Sequence, residues 1–520
     1  MSLFTESLIK SLFSRAVYFM AALLAAGIQN NGLSQDISNK NEPFEPAFQS
    51  SAAIPKGEIL KFSFNKSVLY PGTSRSYWVY IPKDYKPDKP ACLFVCMDGI
   101  LFNAPTVFDY LIAKKEMPVT IAVFVQPGTI LKPDSTVRRY NRTNEFDNMN
   151  ERFAKFLENE LLPDVQMQKS SDGRPIRIST NPNDRAIGGA SSGAICAFTA
   201  AWYRPDMFSR VFSAIGTYIG MRGGDQYPVL VRKSEPKPIR VYLQDTEQDT
   251  WNPLFGNWFK SNIDMEAALN FAGYEVTHMW QQGGHETRQA TAIFPDAMRW
   301  LWKGWPAPVK SGWSANNMLR SMLDSTERWQ LVLSKDKTEI AAPAPFHTAV
   351  LPDGSRYSAG EGVISFKSKG KTIVADKDET LGNALAVSPD NGQLVASIKH
   401  AHWLYDYMIQ PDGSLADKQK LYWLHNPGND HSHEIQSMAF DTNGNLYVAT
   451  ALGIQVCDQN GRVRAILSLP EGAVTSLWFG GEKKDLLYIS CGGKVYKRRL
   501  NVTGADPAQK PVTPVSQGAG

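Results

Sequence analysis

The sequence predicts a multidomain protein: an α/β domain with a mostly parallel sheet flanked by helices, followed by a C-terminal all-β, propeller-like domain. Three observations lead to this fold class. The chain has 520 residues, more than one ordinary domain needs. Across residues 56–305, apolar strand patterns alternate with helical patterns, as in parallel sheets. Across residues 328–505, long helical patterns give way to short strands separated by Asp-Gly and Asn-Gly turns.

The first 34 residues have the order of a secretory signal peptide. Lys10 and Arg15 precede an apolar run, residues 16–28, which small and polar residues follow. Because this run is too short to span a bilayer comfortably, we expect no stable membrane insertion after signal removal. A membrane-anchor helix is the alternative interpretation. Residues 35–55 are polar and contain prolines, so we expect a linker. The protein is therefore expected to be periplasmic or secreted.

Composition narrows the class of partner. The formal net charge is +4 without a basic block, so no nucleic-acid partner is expected. The five cysteines lie mostly in apolar runs and none has metal-ligand spacing with a histidine. We expect most of them to be buried thiols rather than a disulfide framework.

The α/β domain is predicted to open with two antiparallel strands, in residues 56–67 and 74–81. A long amphipathic helix is predicted for residues 144–166. Further strands are predicted in residues 91–97, 119–125, 211–215, 239–243 and 274–280. Further helices are predicted in residues 107–115, 264–272 and 289–302. Residues 306–327 are expected to link the domains, with a short helix in residues 314–324.

Gly189-Ala190-Ser191-Ser192-Gly193 is the chain's single G-x-S-x-G pattern. A short apolar run precedes it, and small residues compatible with a helix follow it. This strand, sharp turn and helix form the nucleophile elbow that pushes a serine hydroxyl outward. Ser191 is thus a candidate nucleophile, provided that other segments supply a base and an acid.

His285 is the preferred base. Of the eight histidines, His278 and His285 lie in the α/β half. His278 falls inside a strand pattern, where a packed residue is expected. His285 follows Gly283-Gly284, on a loop at the end of a strand, where doubly wound sheets keep reactive groups.

The acid is expected from the loop after the preceding strand, which ends at Leu243. Asp245, Glu247 and Asp249 are all candidates. Asp245 is so close to the strand that it could instead cap or brace it. Asp249 lies further into the loop and can turn back toward His285, so we prefer it. The order serine, acid, histidine matches the order in α/β-hydrolases.

An oxyanion hole needs two backbone donors. The N–H of Ser192 follows the nucleophile directly. The second donor is expected from the loop Asp98-Gly99-Ile100, and the N–H of Ile100 is the preferred candidate. Asp98 could equally be a structural turn residue.

Residues 56–304, which contain all of these candidate residues, resemble the esterase family of α/β-hydrolases. This family includes enterochelin esterases, esterase D, mycolyltransferases, and the feruloyl and acetyl-xylan esterases of carbohydrate esterase family one. The matching phrases are Met97-Asp98-Gly99, Arg142-Thr143-Asn144-Glu145-Phe146, Gly189 to Gly193, Arg204-Pro205-Asp206-Met207-Phe208 and Gly283-Gly284-His285. The resemblance implies ester hydrolysis through an acyl-serine, with Ser191, His285 and Asp249 as the triad.

Residues 328–505 look like part of a gluconolactonase/regucalcin-like β-propeller. The similar phrases are residues 382–390 and 444–456, and three or four repeats of about 40–50 residues fit. The resemblance implies a divalent-ion site of Glu, Asn and Asp. Asn383 matches the asparagine, Gln436 takes the aspartate position, and Glu361 is a weak match for the glutamate. Because hard cations prefer carboxylates, we expect no metal there. His425, His431, His433 and Glu434 are interpreted as a polar loop rather than a zinc site. Residues 506–520 are expected to be a disordered tail.

The leading prediction is an exported serine carboxylic-ester hydrolase acting on carbohydrate esters of the feruloyl or acetyl type. It requires no cofactor, and its partner is a small-molecule or polysaccharide ester. Tyr140, Trp251, Trp258 and Trp280 could stack on the substrate or pack the core. The alternative is a metal-dependent sugar lactonase or sugar-binding platform in the propeller. A non-catalytic binding protein on the hydrolase scaffold is a third hypothesis.

Overall fold

The computed structural model describes residues 54–333, 347–427 and 435–516. The predicted signal peptide, residues 1–34, and most of the predicted linker lie outside these ranges, as do His431, His433 and Glu434. Within the described ranges, no helix has the length and apolar character that a membrane crossing requires.

The N-terminal domain is built on an eight-stranded sheet in the order β1-β2-β4-β3-β7-β8-β9-β12. The edge strands β1 and β2 pair antiparallel with each other, and β2 pairs antiparallel with β4. All other pairs are parallel. Its strands are Glu58–Phe64 (β1), Arg75–Ile81 (β2), Cys92–Met97 (β3), Thr120–Val125 (β4), Arg185–Ala190 (β7), Arg210–Ala214 (β8), Arg240–Thr246 (β9) and Glu275–Gln281 (β12). β3, β4, β7 and β8 are buried along their whole length. β3 and β4 are largely continuous apolar runs, as is typical of strands covered on both faces.

Helices cover both faces of the sheet. The helices of this domain are Ala104–Ala113 (α1), Arg142–Phe146 (α2), Arg152–Phe156 (α3), Leu162–Met167 (α4), Ser192–Tyr203 (α5), Tyr227–Lys233 (α6), Trp258–Phe271 (α7) and Arg288–Trp302 (α8). Asn317–Met322 (α9) follows the domain, and its Leu319 and Met322 pack into the core of the C-terminal region. α1 and α8 pack on one face, where Phe294 contacts Phe102 and Phe108. α5 lies on the other face and is buried almost completely, from Ser192 to Trp202. The alternation of apolar strands and helices predicted this layering.

The prediction of one uninterrupted helix over residues 144–166 is wrong. Residues 147–151 separate α2 from α3, whereas α3, a π-helical turn (Leu157–Leu161) and α4 follow one another without a break. Short polar side chains end and restart the helix: Asn148 Nδ2 donates to the carbonyl of Asn144, and Asn150 Oδ1 accepts from the N–H of Arg152. Such local bonds compete with the helical ladder. The hydrophobic pattern alone did not reveal this competition.

Two hairpins and one helix were not predicted. Thr129–Leu131 (β5) pairs with Val137–Tyr140 (β6), and Trp251–Asn252 (β10) pairs with Gly256–Asn257 (β11). The helix is α6. The hairpin strands are two to four residues long, too short for a periodic signal.

The C-terminal region consists of four small antiparallel sheets in a propeller-like ring. Their strands are Thr348–Val350, Arg356–Gly360, Val363–Ser368 and Lys371–Lys377 (β14–β17), Leu381–Val387, Gln393–Ile398, Trp403–Ile409 and Leu415–Trp423 (β18–β21), Met438–Phe440, Leu446–Thr450, Gly453–Cys457 and Val463–Leu467 (β22–β25), and Val474–Gly480, Leu486–Cys491 and Lys494–Arg499 (β26–β28). Gln330–Leu331 (β13) precedes the first sheet but pairs with β28 in the last. The chain entering the ring therefore completes its final sheet. The all-β, propeller-like prediction is confirmed.

The five cysteines are free and buried, as expected. Asn383, Gln436 and Glu361 are exposed. Among the described residues, no group of three or more His, Cys, Asp or Glu side chains is arranged to hold a metal ion. Residues 506–516 lie along the propeller, where the Val512 N–H donates to the carbonyl of Pro389.

The segment after α6 joins the two domains. Ser234 forms a parallel bridge with Ile466 of β25, and the N–H of Glu235 donates to the Ile466 carbonyl. The carboxylate of Glu235 forms a bidentate ion pair with Arg498, at 2.9 Å for both contacts. Lys233 Nζ lies 2.9 Å from Nε2 of His425, which is buried. His425 therefore belongs to the domain junction.

Acid is expected to weaken this junction through His425. Burial, then Lys233 and His402, lower the pKa of His425 to about 4, below the unfolded value of about 6.5. The stability that neutral His425 contributes is thus present above about pH 6.5 and is lost as the pH falls toward 4. We expect His425→Gln, whose amide oxygen can still accept from Lys233, to remove about 3 kcal/mol of the acid sensitivity. Thermal unfolding at pH 7 and pH 4 tests this, with exposed His347→Gln as control; equal acid sensitivity in both variants would contradict it.

Candidate active site

The candidate site lies where β3, β7, β8, β9 and β12 end, at the carboxyl edge of the sheet. Ser191 follows β7 with φ 57° and ψ −122°, a strained conformation for a serine. Its N–H donates to the Ala214 carbonyl at 2.9 Å. A Cβ on Gly189 would lie 2.6 Å from the backbone of Gly193, so this turn needs glycine at position 189. The sequence thus builds a tight strand-to-helix turn with the serine at its tip.

The structure brings Ser191, His285 and Asp249 into one hydrogen-bonded chain. Ser191 Oγ lies 2.9 Å from His285 Nε2, and His285 Nδ1 lies 2.7 Å from Asp249 Oδ1. The Asp249 side chain is fully buried, whereas the His285 side chain is 28% exposed. An ionised carboxylate only accepts hydrogen bonds, so Nδ1 holds the proton and Nε2 is free to accept from the serine. This arrangement can move a proton between the serine hydroxyl and the imidazole.

The pKa of Asp249 is consistent with an ionised acid. Burial raises it, but hydrogen bonds from His285, Asp245 and the Thr250 N–H outweigh this, so its pKa lies below the usual range. Glu247, another candidate acid, is exposed and bonds to Gln282. Asp245, the third candidate, is the penultimate residue of β9 and is completely buried. Of the three, Asp249 contacts His285.

The loop that bears His285 is tied to the loop that bears Asp249. The N–H of Gln248 donates to the Gly283 carbonyl at 3.1 Å, and Gly283 N–H donates back to Gln248 Oε1 at 2.8 Å. Thr246 Oγ1 donates to the carbonyl of Gly284 at 2.8 Å. These bonds fix the two loops to each other, and they therefore hold the acid and the imidazole at a set distance.

Thr217 and Trp258 lie beside the serine and the histidine. Neither residue was predicted from the sequence to contact the triad. Thr217 Oγ1 lies 3.2 Å from Ser191 Oγ and accepts from Trp258 Nε1 at 3.3 Å. The Trp258 ring packs edge-on against His285, with centroids 5.5 Å apart. Thr217 follows β8, so its place after a strand of the same edge was the available signal.

The loop after β3 places Ile100 near the same edge. Asp98 and Gly99 both have positive φ, 65° and 85°, so the chain turns sharply after Met97. Asp98 accepts two bonds from Arg142, from Nε at 2.7 Å and from Nη2 at 2.8 Å. Among the described residues, the backbone N–H groups of Ile100 and Ser192 donate to no protein acceptor. Both are therefore available to a ligand oxygen.

Arg142 and Glu145 of the Arg142–Phe146 segment have structural roles near the site. Arg142 holds the Asp98 turn, while Glu145, fully buried, forms a 2.5 Å ion pair with Arg75. Glu145 also accepts from Gly128 N–H and Asn141 Nδ2. Two residues of one short helix therefore fix the loop after β3 and the base of the β5–β6 hairpin.

The four candidate stacking residues differ in exposure. Trp251 is 69% exposed and Tyr140 57% exposed, on the two hairpins. Trp258 is buried, and half-buried Trp280 stacks on His278 with centroids 4.6 Å apart. His278 was expected to be packed, but its side chain is 40% exposed; it stacks on Trp280 and bonds to Glu266 at 2.6 Å.

Comparison with known proteins gives matches to both domains. A protein described as uncharacterized, from Sulfolobus acidocaldarius, is 29% identical over 139 residues, or 25% of this chain and 49% of that protein. The chain thus spans about half the length of this curated relative. A solved ferulic acid esterase is 16% identical, with a TM-score of 0.38, covering 48% of this chain and 99% of that one. An enterobactin esterase from Shigella flexneri is 20% identical, with a TM-score of 0.38, covering 50% and 63%.

Two family models match the chain. Residues 346–492 match the SMP-30/Gluconolactonase/LRE-like region. Residues 70–350, more than half of the chain, match the family described as "Putative esterase". These residues include Ser191, His285 and Asp249. By this match the chain belongs to that esterase family.

Proposed function

We propose that this protein is an exported serine carboxylic-ester hydrolase. The observation that supports this most directly is the unbroken hydrogen-bonded chain from Asp249 through both nitrogens of His285 to Ser191 Oγ. Membership of the esterase family agrees with the same chemistry. Export rests on the signal-like order of the first 34 residues.

In the proposed reaction Ser191 Oγ attacks the ester carbonyl while His285 Nε2 takes the hydroxyl proton. Asp249 stabilises the resulting imidazolium and keeps the proton on Nδ1. The oxygen of the tetrahedral intermediate is held by the N–H groups of Ile100 and Ser192. His285 then gives its proton to the leaving alkoxide, and an acyl-serine remains. Water, deprotonated by His285, releases the acid and restores Ser191.

Arg142 acts in this scheme through the oxyanion loop. Ile100 follows two residues of positive φ, a conformation that costs free energy unless neighbouring groups enforce it. The bidentate Arg142–Asp98 pair supplies that restraint, and a planar guanidinium suits two parallel bonds better than a lysine would. Arg142 is thus a positioning residue for the Ile100 donor.

For the substrate we propose a carbohydrate ester of the feruloyl or acetyl type. The β10–β11 hairpin begins two residues after Asp249 and exposes Trp251, Leu254 and Phe255, of which Trp251 and Leu254 are 69% and 84% exposed. The Phe255 carbonyl accepts from Gly220 N–H at 2.8 Å, which keeps the hairpin against the loop after β8. An exposed aromatic surface beside a serine site suits a planar acyl group or a sugar ring.

Trp251→Ser is expected to raise KM for methyl ferulate about 3–10-fold, because one aromatic contact contributes about 0.5–1.5 kcal/mol. The kcat/KM for p-nitrophenyl acetate should change less than about twofold, since a small acyl group does not reach the hairpin. Trp403→Ser, on the propeller-like domain, is the matched control. Equal losses on both esters would contradict an acyl-binding role for the hairpin.

EDTA separates the esterase from the alternative, a metal-dependent lactonase or sugar-binding platform in the propeller. We expect hydrolysis of both esters to be insensitive to EDTA. If EDTA abolished hydrolysis and Ser191→Ala retained it, the activity would belong to the C-terminal domain.

A further inference from the structure

Asp245 lies behind the proposed acid, Asp249, and the reaction scheme does not use it. It belongs to β9, is completely buried, and is paired in register with Trp280 of β12. Its Oδ1 accepts from the Thr246 N–H at 2.6 Å, while its Oδ2 is buried without a donor. Asp249 has the same arrangement: Oδ1 accepts from His285 and Thr250, and Oδ2 is buried without a donor. Two buried carboxyl groups each leave one oxygen unsatisfied.

The two carboxyl groups are neighbours that act on each other: each shifts the pKa of the other. Two ionised carboxylates that interact in a buried site repel, so ionisation of both is disfavoured at neutral pH. One proton between the two free oxygens converts the repulsion into a hydrogen bond and satisfies both atoms.

We infer that Asp245 is protonated and donates a hydrogen bond from its Oδ2 to Asp249, and so positions the carboxylate that orients His285. This inference rests on the proposed esterase function. Asp245 is a positioning residue, since it touches neither His285 nor Ser191 in the described hydrogen-bond network.

The neighbours explain why the proton belongs to Asp245. Asp249 receives two donors, from His285 and from the Thr250 backbone, whereas Asp245 receives one. Among the described residues, the titratable group that acts on Asp245 is Asp249, which His285 contacts in turn. Asn262 on α7 also acts on Asp245 and lowers its pKa, although less than burial and Asp249 raise it. Its Nδ2 donates to the carbonyls of Gly216 and Trp258, and its Oδ1 is buried without a donor. Burial, then the interaction with Asp249, raises the pKa of Asp245 far above its usual range.

Asp245→Asn and Asp245→Leu test this role, with exposed Glu247→Gln as a control on the adjacent loop. Asparagine keeps a donor that does not titrate, and leucine removes the donor. A hydrogen bond to a charged group predicts that leucine lowers kcat for p-nitrophenyl acetate about 10–100-fold with little change in KM. Asparagine should lower kcat several-fold less. Equal losses in the two variants would overturn the inference.

The pH profile supplies a readout that a purely structural role would not change. As Asp245 loses its proton at alkaline pH, the wild-type kcat should fall. This alkaline decrease in kcat should be absent from Asp245→Asn, whose amide does not titrate. The free energy of unfolding should also depend on whether Asp245 is protonated. A group with a raised folded pKa contributes stability below its unfolded pKa and loses it as pH rises through the folded value. The Tm of Asp245→Asn relative to wild type should therefore increase from about pH 5 to about pH 9.

An alkaline limb that persists in Asp245→Asn, or a Tm difference independent of pH, would overturn the role of Asp245. Either result leaves Ser191-dependent hydrolysis untouched. Failure of the proposed esterase function would give a different result, because Ser191→Ala would then retain hydrolysis. The pH dependence of the Tm needs no activity, so it tests the proton on Asp245 by itself.

Discussion

Replacing Ser191 with alanine is expected to lower kcat for p-nitrophenyl acetate by about 10⁴-fold or more. The hydroxyl removed is the atom that His285 Nε2 contacts at 2.9 Å. Thr217 cannot take its place, because its Oγ1 is bonded to Trp258 Nε1 and no base contacts it among the described residues. The backbone donors of Ile100 and Ser192 remain, so a small residual rate over water is expected.

Exposed Ser171→Ala is the matched control and should behave as wild type. Thermal unfolding of Ser191→Ala should remain close to that of wild type, since the substitution leaves the glycines of the turn in place. Retained hydrolysis in Ser191→Ala would refute the serine mechanism.

Asp249→Asn is expected to lower kcat about 10³–10⁴-fold with a modest change in KM. The amide can present an N–H to His285 Nδ1, which favours the tautomer with its proton on Nε2. That tautomer cannot accept the serine proton. The Asp249 side chain is fully buried, so no water replaces the lost charge.

Glu247→Gln is the control for Asp249→Asn, since Glu247 is on the same loop but exposed and bonded to Gln282. It should retain wild-type kcat and kcat/KM. A larger loss in Glu247→Gln than in Asp249→Asn would reassign the acid.

The strands and the turn at Ser191 could be predicted because their signals are local. Continuous apolar runs mark β3 and β4, and the glycines around Ser191 mark the turn. The helix predicted for residues 144–166 failed for a local reason as well. Asn148 and Asn150 bond to the backbone there, and a pattern of apolar spacing does not register such bonds.

The partners of the site residues depend on contacts between distant segments, so the sequence could not supply them. Arg142 meets Asp98 across 44 residues, and Thr217 meets Ser191 because β8 lies beside β7. Asp245 could be listed as a candidate acid from its position after Leu243. Its interaction with Asp249 depends on the register of β9 and on the path of the loop that follows.

Covalent capture of the nucleophile tests the esterase account most directly. The full-length protein is treated with an alkyl fluorophosphonate, and its intact mass and proteolytic peptides are measured by mass spectrometry. We predict one adduct per chain, on the peptide containing Ser191, and greatly slowed labelling in His285→Ala. An adduct on another residue, or hydrolysis that continues in a fully labelled protein, would contradict the assignment of Ser191 as the nucleophile.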